Sequence, residues 1–198
     1  MNMTSFLIYC VIVTFTPGPT NILILAAVNH YGTRKTMKYI AGASLAFFLL
    51  VAASVILNHV LAASLPPFLS VVRVVGSIFM LYLAYQIYRM DVSKESAGQA
   101  ITFASGFAMQ FANPKVVLFT LTVIPAYVMP YYTSKLMLSA FVVIVSLIGL
   151  AAYVTWAVFG TLFRKFMQKY QKAANIITAL FLVYSAFLVS GIAEFAKG

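Results

Sequence analysis

The sequence predicts an all-α membrane protein whose chain crosses the bilayer six times. Hydrophobic residues make up 63% of its 198 residues and charged residues only 8%, whereas about 25% of residues are charged in a soluble domain. The mean hydropathy is +0.99. Long apolar runs recur along the whole chain, each near the roughly 20 residues that a helix needs to cross about 30 Å of hydrocarbon. Residues 1–198 are therefore predicted to form one membrane domain.

The apolar runs give the approximate bounds of the spans, and polar or turn-forming segments separate them. The predicted spans are residues 4–28, 39–60, 70–88, 103–126, 136–160 and 175–193. The first run lacks a basic start and is followed by more spans, so we expect a retained helix and not a cleaved signal. Residues 162–172 alternate aromatic and basic residues at helical spacing. This pattern fits a helix on the membrane surface and equally an extension of the fifth span.

The distribution of basic residues predicts the orientation of the chain, because Lys and Arg in short loops are retained on the cytoplasmic side. The basic residues of the first, third and fifth connections are Arg34, Lys35, Lys38, Arg89, Lys94, Arg164, Lys165, Lys169 and Lys172. The second and fourth connections contain little beyond Arg73 and Lys135. Both termini are therefore predicted to lie outside a bacterial cytoplasmic (inner) membrane. The net charge of +10 follows from this topology and from anionic headgroups, so no nucleic acid partner is predicted.

The first span is interrupted by a segment that cannot continue an α-helix. This segment is Thr16-Pro17-Gly18-Pro19-Thr20-Asn21. Pro17 and Pro19 cannot donate to the carbonyls of Val13 and Phe15, so polar backbone groups are released inside the hydrocarbon and need partners. A simple kink is one interpretation. Two prolines around a glycine favour the end of one half-helix and the start of another, with Pro19 in its first turn.

The fourth span contains a second interruption with the signals of a helix start. It reads Phe111-Ala112-Asn113-Pro114-Lys115. Asn113 suits the N-cap and Pro114 the first helical position, and the free N–H groups of the new helix attract anions. Lys115 adds a full charge at a depth where insertion scales assign lysine a cost of about 2.5–3.5 kcal/mol, which makes it a candidate functional residue. The alternative is a lysine that snorkels to the surface.

The two interruptions correspond in position. Phe15 precedes the first as Phe111 precedes the second, and 111 − 15 gives 96 residues, about half of the chain. We therefore predict two three-helix repeats, at about residues 1–90 and 100–198. Because each repeat has an odd number of spans, the second is inverted relative to the first, and the broken first helices meet near the midplane with a substrate site between them.

The predicted substrate site takes all its residues from the two interruptions and their flanks. They are Thr16, Pro17, Gly18, Pro19, Thr20, Asn21, Gln110, Asn113, Pro114 and Lys115. Two half-helix N-termini and Lys115 suit a carboxylate, whereas freed carbonyls near Val13 and Phe15, with neighbouring amide and hydroxyl groups, suit an ammonium. The expected ligand is a zwitterionic amino acid. No catalytic residue, cofactor or metal is predicted.

At these positions the sequence resembles the lysine exporter superfamily. The resemblance is carried by Phe15-Thr16-Pro17-Gly18-Pro19, by Gly32 and Gly42 around the basic first connection, and by Asn113-Pro114-Lys115. Further stretches, Leu45-Ala46-Phe47, residues 107–111 and residues 175–185, are most similar to the homoserine/threonine-resistance branch that includes cysteine and O-acetylserine exporters. The resemblance covers nearly the whole chain. It implies a secondary transporter that exports a small amino acid or derivative from the cytoplasm, with the lipid bilayer as its surroundings and a homo-oligomer left open.

The alternative classes of function for such a membrane protein are an intramembrane enzyme and a non-transporting assembly subunit. The only carboxylates are Asp91, Glu95 and Glu194, which lie in a connection or at a terminus, so an enzyme would lack a buried acid/base pair. Cys10 is the only cysteine, which disfavours a disulfide relay or a clustered metal site. An assembly subunit would leave the paired interruptions and Lys115 without a purpose.

Several other residues are expected to have general roles in the membrane. Tyr82, Tyr85 and Tyr88 are expected to form a packed or interfacial stripe, His30 and His59 to be ordinary interface residues, and Trp156 to anchor the chain at the inner boundary.

The predicted orientation can be tested by labelling single cysteines in whole cells, with Cys10 replaced by Ser. A cysteine introduced next to Lys94 or Lys169 should be shielded from a membrane-impermeant thiol reagent, whereas one next to Lys135 should react. All three should react after the membrane is permeabilised. The reverse pattern in intact cells would overturn the orientation.

Overall fold

Apolar segments form the helices of this protein, and proline, glycine and capping residues determine where they end. The computed structural model describes residues 2–56 and 101–190, together with residues 74, 77, 78, 81, 82, 84, 85 and 88. The helices are α1 (Met3–Phe15), α2 (Pro19–Ile56), α3 (Phe103–Ala112), α4 (Pro114–Tyr127), α5 (Lys135–Leu162), α6 (Arg164–Lys169) and α7 (Gln171–Ser190). The eight described residues between 74 and 88 are also helical. All regular structure within these described ranges is helical, which confirms the all-α class.

Two of these helices, α2 and α5, are long and apolar enough to cross a membrane. The pair α3 and α4 would be a third crossing, bent by 70° at the break between the two helices. The shorter helix α1 is 13 residues long and apolar. Parts of the predicted second, third and sixth spans lie outside the described residues.

The predicted first connection, residues 29–38, is not a loop. The helix α2 continues through it except at Gly32, whose φ of 78° and ψ of 169° interrupt the helical backbone. Glycine adopts a positive φ without steric cost, which explains why the bend lies there. An unbroken helix of 38 residues would be about 57 Å long at 1.5 Å per residue. Gly32 divides it into residues 19–31, about 20 Å long, and residues 33–56, about 36 Å long, so the second part of α2 reaches across about 30 Å of hydrocarbon by itself and the first does not.

The predicted fifth connection forms a separate short helix. The helix α5 ends at Leu162, and α6 follows between the cap residues Phe163 and Tyr170. The alternative in which the fifth span continues as one helix through residues 162–172 is therefore wrong. The side chains of Phe163, Phe166 and Tyr170 are all exposed, as expected of a helix that packs against lipid headgroups and acyl chains. Its location on the membrane surface stays a prediction.

The helix α2 packs most extensively against α5 and α3. Its crossing with α3 is close enough for backbone contact, because a Cβ atom at Gly42 would lie 2.0 Å from the Phe103 carbonyl oxygen, and one at Gly106 would lie 2.1 Å from that of Tyr39. Small residues allow such approaches between membrane helices. The pairs run in opposite directions along the two helices, so these parts of α2 and α3 are antiparallel.

We expect Gly42→Ala and Gly106→Ala each to destabilise the protein by at least about 1–3 kcal/mol, the usual cost of overpacking, because a backbone carbonyl cannot rotate away as a side chain can. The matched control is Ala41→Val, which adds bulk to the exposed side of the same helix. The measurement is the unfolding temperature of the purified protein in detergent. Unchanged unfolding temperatures for both glycine variants would show that the two helices pack less closely.

Candidate substrate site

The first interruption ends α1 at Phe15 and starts α2 at Pro19, as the sequence predicts. Thr16 caps α1 in an extended conformation, with φ −60° and ψ 146°. The carbonyls near the break were predicted to need polar partners, and two of them have such partners within the protein. The Val13 carbonyl accepts from the Thr16 hydroxyl at 3.0 Å, and the Phe15 carbonyl accepts from the Trp156 indole at 3.1 Å. Trp156 is thus half-buried against the break and is more than a boundary anchor.

Asn21 adds a second internal connection across the same break. Its amide nitrogen donates to the Thr14 carbonyl at 2.9 Å and to the Thr16 carbonyl at 3.0 Å. The side chain is buried and reaches from the first turn of α2 back to the end of α1. The amide therefore supplies donors to two carbonyls that the end of α1 leaves without a partner in the same helix.

The second interruption has the predicted geometry of a helix start. α3 ends at Ala112, Asn113 is extended with φ −95° and ψ 101°, and α4 begins at Pro114. The Asn113 side-chain oxygen accepts from the backbone N–H of Lys115 at 3.1 Å. Asn113 therefore caps α4, and the positive end of this helix lies at the break.

The two interruptions lie against each other. The Asn113 amide nitrogen donates to the Thr20 hydroxyl at 3.0 Å. The Lys115 ammonium donates to the carbonyl and to the hydroxyl of Thr16, both at 2.9 Å. The lysine side chain crosses over Gly18, where an added Cβ would lie 3.2 Å from the ammonium nitrogen. The structure therefore brings residues that are about a hundred positions apart into one polar cluster.

Gln110 lies beside this cluster and is completely buried. Its amide nitrogen donates to the Gly106 carbonyl at 3.2 Å and lies 3.5 Å from the Thr20 hydroxyl, while its oxygen accepts from the Tyr153 hydroxyl at 2.9 Å. Because its oxygen already has a donor, Gln110 connects α3, α2 and α5 in this conformation and does not present a free acceptor. Tyr153 was not identified from the sequence, because a single tyrosine in an apolar span gives no sign of its direction.

A narrow cavity lies between the interruptions. It contains ≈ 350 Å³ of empty space, of which ≈ 30 Å³ can be occupied by the centres of water molecules, enough for about two waters. Five of the ten predicted site residues line it, namely Gly18, Thr20, Asn21, Asn113 and Lys115. The remaining lining residues are Val13, Thr14, Phe47, Val116, Phe119, Gly149 and Tyr153. An amino acid would fit only after neighbouring groups move.

Four further predicted site residues, Thr16, Pro17, Pro19 and Gln110, do not line this cavity. Thr16 and Gln110 act on it through hydrogen bonds, as described above. The prolines set the ends of helices: Pro19 and Pro114 each begin one. The cavity is therefore surrounded by the negative end of α1 and the positive ends of α2 and α4.

The electrostatic character of the cavity is set by one ammonium group and these helix ends. The described ranges contain neither Asp nor Glu, so Lys115 has no carboxylate partner there. Those same ranges also contain no cluster of His, Cys, Asp or Glu that could hold a metal. The cavity therefore suits a ligand that brings its own negative charge.

Among the described residues expected to have general membrane roles, His30, Tyr82, Tyr85 and Tyr88 do not line this cavity. His30 donates from Nε2 to the Asn175 side-chain oxygen at 2.7 Å and so connects α2 to α7. Its location at the membrane interface stays a prediction. Tyr82, Tyr85 and Tyr88 are exposed and stay predicted as an interfacial stripe. His59 lies outside the described residues.

Comparison with known proteins identifies the family. Residues 11–190 match the model of the LysE type translocator. The chain belongs to this family. It is 32% identical over 187 residues to the cysteine/O-acetylserine efflux protein of Salmonella typhimurium (strain LT2), covering 94% of this chain and 96% of that protein. It is 32% identical over 186 residues to the protein of the same description in Escherichia coli (strain K12), covering 93% and 95%. No solved structure matches.

Membership of the LysE type translocator family confirms the resemblance seen in the sequence. It confirms a multi-pass protein of the bacterial inner membrane, and an amino-acid exporter in place of an enzyme. The cavity between the interruptions is a place in this translocator where buried polar groups converge inside apolar helices.

We expect Thr20→Val to destabilise this translocator by about 1–3 kcal/mol, because the Asn113 amide would lose its acceptor inside the protein while the volume is conserved. The matched control is Thr155→Val, since the Thr155 hydroxyl bonds only the Ala151 carbonyl of its own helix. Unfolding temperatures in detergent measure the difference. Equal values for the two variants would show that the contact between the interruptions contributes no stability.

Proposed function

We propose that this protein exports a zwitterionic amino acid about the size of cysteine or O-acetylserine by binding it between the two interruptions. The observation that carries the proposal is Lys115, a half-buried cation with no carboxylate partner in the described ranges. A cation in this setting is costly unless function requires it. The efflux of cysteine and O-acetylserine by the relatives supports the same class of substrate.

The cavity offers separate partners to the two charged groups of such a substrate. The carboxylate would bind near Lys115 and the N-terminal ends of α2 and α4, where positive partial charge and free backbone N–H groups attract anions. The ammonium would bind at the C-terminal end of α1, at the Thr16 carbonyl. A small side chain would contact the apolar wall formed by Phe47, Val116 and Phe119.

The proposal includes six spans arranged as two inverted repeats, residues 1–90 and 100–198, with both termini outside. Support comes from the matching construction of the two interruptions, in which a helix ends, an extended residue follows and a proline begins the next helix. Their contact in the middle of the fold is the arrangement expected of paired broken helices in transporters. Secondary transport would then proceed by moving one repeat against the other around the cavity.

The described residues that line the cavity can form the proposed site within one chain. A homo-oligomer is compatible with this proposal.

We expect Lys115→Met to abolish export or to weaken substrate affinity by about ten- to a hundredfold, because a charge-assisted hydrogen bond contributes roughly 1.5–3 kcal/mol. Removal of a buried charge should ease membrane insertion, so protein abundance should be preserved. Arginine at position 115 should restore little of the export, because its planar guanidinium group is larger than a compact ammonium. The measurement is counterflow of radiolabelled cysteine, O-acetylserine and other small amino acids in reconstituted vesicles.

The matched control for this experiment is Lys135→Met, which removes an exposed lysine at the start of α5. It should transport like the unmodified protein. Normal counterflow and affinity in Lys115→Met would show that this lysine takes no part in binding. Absence of saturable counterflow for every amino acid in the unmodified protein would contradict export itself.

A further inference from the structure

The Lys115 ammonium occupies the place that a substrate ammonium should take. Its two hydrogen bonds go to the Thr16 carbonyl and hydroxyl, at the end of α1. We propose that Lys115 is a built-in substitute for the substrate's ammonium group: it holds the two interruptions together in the empty carrier, and the substrate displaces it. This inference rests on the proposed function and specifies how the site recognises a zwitterion.

The position of Lys115 in α4 explains why its ammonium crosses to another helix. Lys115 follows Pro114 directly and so lies at the positive end of α4, where a cation is unfavourable, whereas the end of α1 carries negative partial charge. The side chain can span the gap because Gly18 leaves its path open: an added Cβ would lie 3.2 Å from the lysine Nζ and 3.3 Å from its Cδ.

The end of α1 has little capacity for a second cation while the lysine is bound there. The Val13 and Phe15 carbonyls already accept from the Thr16 hydroxyl and the Trp156 indole. The Thr16 carbonyl accepts from the amide of Asn21 in addition to Lys115. A substrate ammonium can therefore reach this carbonyl only if the lysine leaves it.

A zwitterion satisfies both groups that the displacement sets free. Its ammonium replaces that of Lys115 at Thr16, and its carboxylate pairs with the released lysine. An amine without a carboxylate would place two cations in the cavity with no anion from the described residues to balance them. An acid without an ammonium would leave the two hydrogen bonds from Lys115 to Thr16 unreplaced if it drew the lysine away. Lys115 thus makes tight binding depend on both charged groups of the ligand.

The experiment measures binding of three radiolabelled ligands to the purified protein by equilibrium dialysis under reducing conditions. The ligands are cysteine, its decarboxylated analogue cysteamine and its deaminated analogue 3-mercaptopropionate. If another amino acid gives the strongest counterflow, that amino acid and its two analogues replace them. The unmodified protein and Lys135→Met should bind the amino acid much more tightly than either analogue.

In Lys115→Met the Thr16 carbonyl and hydroxyl lose the lysine as a donor and can accept from another ammonium, so cysteamine should bind at least about tenfold more tightly than to the unmodified protein. Cysteine should lose affinity, and 3-mercaptopropionate should gain none. Lys115→Gln, which is neutral but keeps a hydrogen-bond donor, should change selectivity in the same direction and serves if the methionine variant does not fold.

Loss of cysteine binding without a gain for cysteamine would overturn the displacement while leaving export and the lysine–carboxylate contact in place. An equal gain for both analogues would also overturn it, because it would show a pocket that is merely larger. Failure of the unmodified protein to transport any amino acid would instead contradict the proposed function. The outcomes for the two proposals are therefore distinct.

Discussion

A helix that is interrupted inside a membrane exposes backbone carbonyls where no lipid can bind them, and the structure depends on how these carbonyls find partners. Here the protein supplies side chains from several helices. Asn21 and the hydroxyl of Thr16 act locally, Trp156 approaches from α5, and Lys115 crosses from α4. Each of these bonds also fixes the position of a helix. The break is therefore the point at which four helices are joined.

The same geometry gives the cavity its chemical character. Three helix ends converge on a space with apolar walls, and the formal charge in the described part of its lining comes from Lys115 alone. Helix ends carry only partial charges of about half an elementary charge and cannot be neutralised by protonation. A ligand with separated positive and negative groups complements this arrangement more fully than an ion of either sign. The fold thereby favours amino acids before any side-chain contact is considered.

Much of this architecture could be predicted from the sequence because its signals are local. Missing N–H groups at Pro17, Pro19 and Pro114 specify where helices stop, and the spacing of 96 residues pairs the two interruptions. Five of the ten predicted residues line the cavity for this reason. The exact partners could not be predicted, since the direction of Tyr153 or Trp156 depends on the rotation of α5 against its neighbours, which apolar periodicity leaves undetermined.

The incorrect prediction of a loop at residues 29–38 has a related cause. Polar and basic residues there suggest a connection, but a helix can begin outside the hydrocarbon with basic residues in its first turns, and only Gly32 departs from helical geometry. In the same way the alternating residues after Leu162 could not distinguish a long helix from two, because the cap at Phe163 depends on backbone angles that no residue type there requires.

The close backbone contacts of Gly42 with Phe103 and of Gly106 with Tyr39 also constrain the mechanics of the protein. Because no side chain separates the two helices there, sliding of α3 along this part of α2 would drive the Phe103 and Tyr39 carbonyls against the facing helix. The two helices are therefore expected to move together as one rigid unit. Bending that opens the cavity would then occur at Gly32 and at the two interruptions, where helical hydrogen bonding is already broken. At these positions bending would cost no further backbone hydrogen bond of a helix.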